Sequence, residues 1–135
     1  MRRIIGVFFV LGWISLLPGA AGSFAQEEDG KAHVHFFVVP AKSPDGSSTQ
    51  AAVAKMKEYL LNLAGGYTDL GKSEGGWVDS QGMVFRRKNI AFVVSAPRDI
   101  SVELKQYISE NFGEISPYLL VWEAQEGGRG QAEAS

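Results

Sequence analysis

The sequence contains no cysteine among its 135 residues, and its only histidines are His33 and His35. The lack of cysteine excludes disulfide cross-links, thiol nucleophiles and thiolate metal sites, so the fold must rest on an apolar core. There is also no phosphate-binding glycine loop and no serine in a G-x-S-x-G elbow. The sequence therefore does not identify an activity, and it predicts no cofactor.

Positive charge is scarce as well. Thirteen Lys and Arg residues stand against fifteen Asp and Glu residues, which gives a formal net charge of −2. Binding to nucleic acid regardless of sequence depends on clustered Lys and Arg. The one basic cluster is Arg86-Arg87-Lys88, and a short run of this kind is more often a solvated strand edge. We therefore expect no nucleic-acid partner.

The first 25 residues have the three parts of a secretory signal peptide. Arg2 and Arg3 form a basic start, Ile4–Leu17 is almost wholly apolar, and Ser23 and Ala25 supply the small residues of a cleavage site. The apolar run is shorter than the roughly 20 residues that a membrane-spanning helix needs. The sequence predicts cleavage after Ala25, export to the periplasm or the medium, and no stable membrane span afterwards.

Hydrophobic periodicity and turn residues divide the rest of the chain into strands and helices. Strands are predicted at 33–39, 67–72, 89–96 and 117–124, and helices at 49–64 and 100–112, ending at Gly65 and Gly113. A hairpin turn is predicted at 79–82, with short arms on either side, and Gly75-Gly76 is expected to interrupt strand pairing. Residues 26–32 form a polar lead-in, and 125–135 a disordered tail.

The element order β-α-β-β-α-β predicts an α+β, ferredoxin-like sandwich over residues 33–124. In this fold four antiparallel strands form a sheet that carries two helices on one face. The first and third long strands are the most apolar and should be central, whereas the polar strand at 67–72 should lie at an edge.

Both alternating side-chain sets of the apolar strands are hydrophobic, although the fold supplies helices for one face only. Val34, Phe36 and Val38 alternate with Phe37 and Val39 on the first strand. Since a monomer rarely exposes a large contiguous apolar patch, we expect a second copy, a ligand or both to cover the open face. A homodimer is the leading prediction. The alternative is that the glycine-rich insertion or the tail folds back over this face.

Two groups of residues are candidate sites. His33 and His35 are two apart, so on a strand they point the same way and could begin a zinc or copper site; an edge or interface position is the simpler interpretation. Tyr67, Thr68, Gly76, Trp77 and Arg86 are candidates for ligand binding, because glycine permits close approach and aromatic side chains give an apolar wall. The alternative is that Trp77 only caps the core.

The motif formed by Gly65-Gly66-Tyr67-Thr68, Gly75-Gly76-Trp77 and the turn glycine Gly82 resembles small bacterial exported families of unknown function. The resemblance covers roughly Val34 to Ala124 and implies a ferredoxin-like domain without an established activity. Several relatives carry Arg-Glu after the turn, where this chain has Arg86-Arg87-Lys88.

The leading hypothesis is a non-catalytic module that self-associates and binds a small molecule or a protein. The first alternative is a small dimeric α+β-barrel enzyme with a pocket lined by Tyr67, Trp77, Arg86 and His35. The second is periplasmic metal binding through His33 and His35.

Overall fold

A computed structural model describes residues 30–127. The predicted signal peptide at 1–25 and residues 128–135 of the predicted tail lie outside the described residues. Lys31 and Ala32, expected in the lead-in, belong to the first strand, and Gln125, expected in the tail, is the last residue of the final strand.

Four strands and two helices follow one another in the predicted order. They are β1 (Lys31–Pro40), α1 (Gln50–Ala64), β2 (Thr68–Val78), β3 (Val84–Ala96), α2 (Ser101–Phe112) and β4 (Leu119–Gln125). The strands form one antiparallel sheet in the order β2-β3-β1-β4. The ferredoxin-like α+β prediction is confirmed, with the two most apolar strands at the centre.

The helices pack on one face of the sheet through short apolar stripes. Helix α1 buries Val53, Met56 and Leu60 at helical spacing. It ends at Gly65, whose φ of 80° is a left-handed conformation that glycine adopts without steric cost. Helix α2 ends in the same way at Gly113. Within residues 30–127, neither helix has the length and hydrophobicity to cross a bilayer.

The core lies between the helices and the odd-numbered side chains of β1. Phe37 and Val39 are fully buried there, and Phe37 stacks on Phe92 of β3 with ring centroids 5.6 Å apart. The cross-strand pairs Phe37–Phe92 and Phe37–Leu119 extend this covered face across the sheet.

The opposite face of the sheet carries the even-numbered side chains of β1 and has no helix over it. Cross-strand pairing places Phe36 beside Val93 of β3 and Leu120 of β4. We call this surface the open face. Its exposed large side chains are Trp77 (49% exposed), Phe85 (42%), Tyr118 (56%), Leu120 (47%) and Trp122 (47%).

The β2–β3 hairpin is longer than predicted. Strand β2 runs without interruption through Gly75 and Gly76, which pair with Arg87 and Arg86. The expectation that these glycines interrupt pairing was wrong, because a glycine keeps both backbone hydrogen-bonding groups. The predicted turn is present at 79–82, with Gly82 at φ 80°, and Asp79 Oδ1 accepts hydrogen bonds from the Gln81 and Met83 amides.

The register of β2 shifts by one residue near its start. Asp69 pairs with Phe92 and Gly71 with Ala91, so Leu70 has no partner on β3 and forms a bulge. Gly71 has φ 83°, and its amide donates to Asp69 Oδ1 at 2.7 Å. Beyond the bulge, the odd-numbered residues Ser73, Gly75 and Trp77 face the open side.

Candidate functional site

The five predicted ligand-binding residues do not form one site. Tyr67 and Thr68 lie at the start of β2 and Gly76 and Trp77 near its end, roughly 25–30 Å apart at about 3.3 Å per strand residue. Grouping them as one candidate surface depended on an interrupted strand, and the continuous β2 separates the two pairs. Arg86 pairs with Gly76 through the backbone and is exposed on the side opposite Trp77.

Tyr67 and Thr68 line one cavity of about 640 Å³ at the end of the sheet near the C-terminus of α1. Gly65, Gly66, Ser95 and Pro97 contribute to the same cavity. Tyr67 is held there by an edge contact with Phe92, at 6.3 Å between ring centroids, and its ring lies 5.7 Å from Lys57 Nζ. This end of the strand is therefore fixed to the core and to α1.

Trp77 lines a second cavity, of about 630 Å³, on the open face. It lies where the β2–β3 hairpin meets the segment after α2. We call it the Trp77 groove, and its main lining residues are Phe36, Val38, Ser73, Trp77, Arg87 and Tyr118. Of the predicted ligand-binding residues, Gly76 and Trp77 belong to it.

An arginine fixes the wall of the Trp77 groove. The Arg87 guanidinium makes a two-pronged ion pair with the Glu114 carboxylate, and its Nε donates to Asn89 Oδ1 at 2.7 Å. It also lies 5.8 Å from the centre of the Trp77 ring, which stacks on Phe85 at 5.6 Å. Arg87 thereby joins the hairpin to the segment that follows α2.

Gly75 has a specific steric role beside this cluster. A Cβ at Gly75 would lie 2.8 Å from Asn89 Nδ2, whereas a Cβ at Gly76 would meet nothing closer than 3.5 Å. Asn89 is buried and held by Arg87, so it cannot easily move away. The first glycine of the Gly75-Gly76 pair is therefore required by packing, and the second is not.

His35 is fully buried on the covered face and both its ring nitrogens have partners. Nε2 accepts a hydrogen bond from the Ile100 amide at 3.0 Å, and Nδ1 lies 3.2 Å from the Val94 carbonyl oxygen. The ring must therefore carry its proton on Nδ1 and donate it to Val94. His35 joins the sheet to the start of α2 in this way, and a metal ion there would have to displace one of these bonds.

His33 lies on the same side of β1 and is partly exposed. Its Nε2 is 3.6 Å from Glu123 Oε1 on β4, and its Nδ1 is buried without a hydrogen-bond partner. Within residues 30–127, no group of three or more His, Cys, Asp and Glu side chains is placed to hold a metal ion. The residues there do not fit a complete metal site within one chain.

Two carboxyl groups on the covered side, Asp99 and Asp69, have pKa values below the ordinary value. Hydrogen bonds from the Ser101 hydroxyl and amide lower the pKa of Asp99. The Lys57 ammonium, 2.9 Å from Asp69, lowers the pKa of that carboxyl in the same direction. Both shifts accompany structural contacts at helix α2 and helix α1 and lie away from the Trp77 groove.

The residues suggested for an enzyme pocket do not converge. His35 is buried on the covered face, Trp77 lies on the open face, and Tyr67 is at the other end of β2. Sequence reasoning missed Ser73, Asn89 and Glu114. No motif marks them, and Glu114 meets Arg87 across 27 residues of sequence. The alternation of β2 would have indicated Ser73 only if the bulge had been known.

Comparison with solved structures reveals the same fold in distant proteins. The divalent cation tolerance protein CutA1 of Thermus thermophilus is 16% identical, with a TM-score of 0.57 over 73% of this chain and 88% of that chain. The divalent ion tolerance protein CutA1 of Ehrlichia chaffeensis is 9% identical, with a TM-score of 0.54 over 73% and 85%. No protein-family model matches the sequence, and neither does any curated protein. At these identities the likeness establishes a shared ferredoxin-like fold.

Proposed function

We propose that the chain is an exported, non-catalytic interaction module that self-associates as a dimer through the open face of its sheet. The observation that carries this proposal is the set of large apolar side chains on that face, from Trp77 and Phe85 on the hairpin to Trp122 on β4. Monomers rarely leave such a patch in water. Export rests on the leader pattern of the first 25 residues.

The charges of the open face favour a second copy as the partner. In a two-fold symmetric interface, each surface meets its own image. The register of residues 30–127 places one ionic side chain on this face, Arg87, and Glu114 neutralises it. Two such faces would meet without repulsion between like charges, and side chains from two sheets would interdigitate at a separation of about 10 Å.

The test is the oligomeric state of the purified chain, measured by size-exclusion chromatography with light scattering. We expect a dimer for the parent and a monomer for Leu120→Lys. In the dimer, the interface would bury the charged lysine of each copy without a partner of opposite charge. Val102→Lys is the matched control, because Val102 is 76% exposed on helix α2, which covers the other face. A parent that is monomeric at every concentration would refute the proposal, as would equal dissociation of the two lysine variants.

Metal binding through His33 and His35 has less support. The two similar structures are of proteins named for divalent cation or divalent ion tolerance, and the observation in favour of a site here is the proximity of His33 Nε2 to Glu123. The protein partners of His35 weigh against it. If the site exists, calorimetric titration with Zn²⁺ should give tighter binding for the parent than for a His33→Ala, Glu123→Gln variant. Equal binding by the two proteins would end this hypothesis. His35 is left unchanged in this test, because its replacement would remove the bonds to Val94 and Ile100 and is expected to lower stability.

A further inference from the structure

The Trp77 groove has the size and shape of a small-molecule site. Its volume of about 630 Å³ lies within the range of roughly 300–1,000 Å³ found for ligand pockets. Phe36 and Val38 of β1 line it together with Trp77 of β2 and Tyr118, which precedes β4. Three of these four side chains are aromatic, and such walls favour a flat aromatic ligand that stacks at offset or edge geometry.

Within residues 30–127, one polar group in the groove has no hydrogen-bond partner. The Ser73 hydroxyl oxygen is buried and makes no hydrogen bond, although buried polar groups are nearly always paired. The Oδ1 atom of the neighbouring Asn89 already accepts a hydrogen bond from Arg87 Nε. A ligand that reaches Ser73 would therefore gain a hydrogen bond that the chain itself leaves unmade.

The charges that border the groove are already compensated. The Arg87 guanidinium is paired with Glu114. Glu74 is a further lining residue, but the strand register directs its side chain to the opposite side of the sheet, where the carboxylate lies 2.7 Å from Lys88 Nζ. An anionic or cationic ligand would have to break one of these pairs or remain unpaired in an apolar site. The groove is suited to a molecule without net charge.

We propose that the Trp77 groove binds a neutral, flat aromatic molecule whose hydrogen-bonding group pairs with the Ser73 hydroxyl. Trp77 and Phe36 provide the apolar surface, Gly75 keeps the strand flat beside the buried Asn89, and the Arg87–Glu114 pair holds the wall in place. The groove is formed within one chain, and it lies on the face through which the proposed dimer would form, so ligand binding is measured at protein concentrations at which light scattering finds a monomer.

Indole and 1-methylindole form a matched pair of probes, because they differ in the N–H that could donate to Ser73. Each is titrated into isotope-labelled protein, and the shift of the Trp77 side-chain signal in NMR spectra gives the dissociation constant. We expect the parent to bind indole about five-fold more tightly than 1-methylindole, in keeping with one net hydrogen bond. Ser73→Ala should remove that preference while leaving the affinity for 1-methylindole unchanged.

Two tryptophan variants locate the site. Trp77→Ala should weaken indole binding at least about ten-fold, as expected when a stacking wall is lost, and Trp122→Ala, on the same face outside the groove, should not. Binding in these two variants is followed by saturation transfer to the probe. The absence of any indole-dependent shift in the parent would overturn the proposal, and so would an equal loss in Trp122→Ala or an unchanged preference in Ser73→Ala. Light scattering on each variant records dimer formation separately.

Discussion

The two faces of the sheet differ strongly in burial, although similar apolar residues form both of them. Phe36 and Phe37 are neighbours of the same type on β1, yet Phe37 is fully buried against Phe92 and Phe36 is half-buried in the Trp77 groove. The covered face is closed by two helices and joined to α2 by His35, whereas the open face ends in exposed aromatic side chains. Identical side chains therefore have different roles according to whether a helix lies over them.

The largest expected effect comes from truncating this neighbouring pair. Phe37→Ala should lower the free energy of unfolding by about 3–5 kcal/mol, because it removes a stacked ring from the closed core. Phe36→Ala should cost less in the isolated chain. Chemical denaturation at several protein concentrations checks both values. If the open face is a dimer interface, the cost of Phe36→Ala should grow with concentration while that of Phe37→Ala stays the same. Equal losses at low concentration would contradict the distinction between the faces.

Removing the polar link of the covered face should have the next largest effect. His35→Leu keeps an apolar side chain of similar size but leaves the Ile100 amide without its acceptor, at a cost of about 1–3 kcal/mol. Hydrogen exchange at Ile100 should accelerate more than exchange in α1. His33→Leu is the control, since His33 faces the same way and is partly exposed. Equal destabilisation by the two substitutions would contradict the role of His35.

Substitution of the two adjacent glycines beside the groove should have clearly different effects on stability, because Gly75 faces the open side and Gly76 the opposite side. Gly75→Ala brings a methyl group against Asn89 Nδ2 and should cost about 1 kcal/mol or more, the lower end of overpacking in a filled site. Gly76→Ala should be close to neutral, because its Cβ has ordinary van der Waals distances. Thermal and chemical unfolding of both variants measures the difference. A Gly76→Ala loss as large as that of Gly75→Ala would show that the strand, and not Asn89, demands glycine.

The smallest effect concerns pH and the covered face. The pKa of Asp99 is lowered from its ordinary value of 3.8 by hydrogen bonds from Ser101. Its contribution to stability is therefore present above that value and is lost as the pH falls through the lower pKa of the folded state. Asp99→Asn should flatten the fall in unfolding free energy below about pH 4. Because Asp99 is half exposed, the change should be slight. An identical acid dependence in the variant would contradict it.

The sequence was sufficient for the architecture because its signals are local. The apolar periods of β1 and α1, the helix stop at Gly65 and the turn at Gly82 depend on neighbouring residues and agree with the structure. The presence of two apolar faces was also visible. Which face the helices cover was not, since Phe36 and Phe37 are chemically the same and only the packing of α1 and α2 distinguishes them.

The candidate site was less accessible for a physical reason. The pattern Gly75-Gly76 favoured an interruption of the strand, and Tyr67 and Trp77 were grouped as one candidate site on that basis. A glycine can pair like any other strand residue, and the continuous strand separates them. The contacts that form the Trp77 groove instead connect distant positions, as in the Arg87–Glu114 ion pair. The partner of a side chain at that separation depends on the tertiary fold and not on spacing along the chain.

The bulge at Leu70 determines which side chains of β2 face the open side of the sheet. Side chains alternate along a strand, so one additional residue exchanges the two sets beyond it. Ser73, Gly75 and Trp77 face the groove only because Leu70 is unpaired on β3. If Leu70 instead paired with Ala91 in a regular ladder, the alternation would direct Lys72, Glu74 and Val78 towards the groove, without any change in the side chains that form it. A deletion of Leu70, by contrast, would remove the bulge and leave Gly71 opposite Ala91, so Ser73, Gly75 and Trp77 would still face the groove.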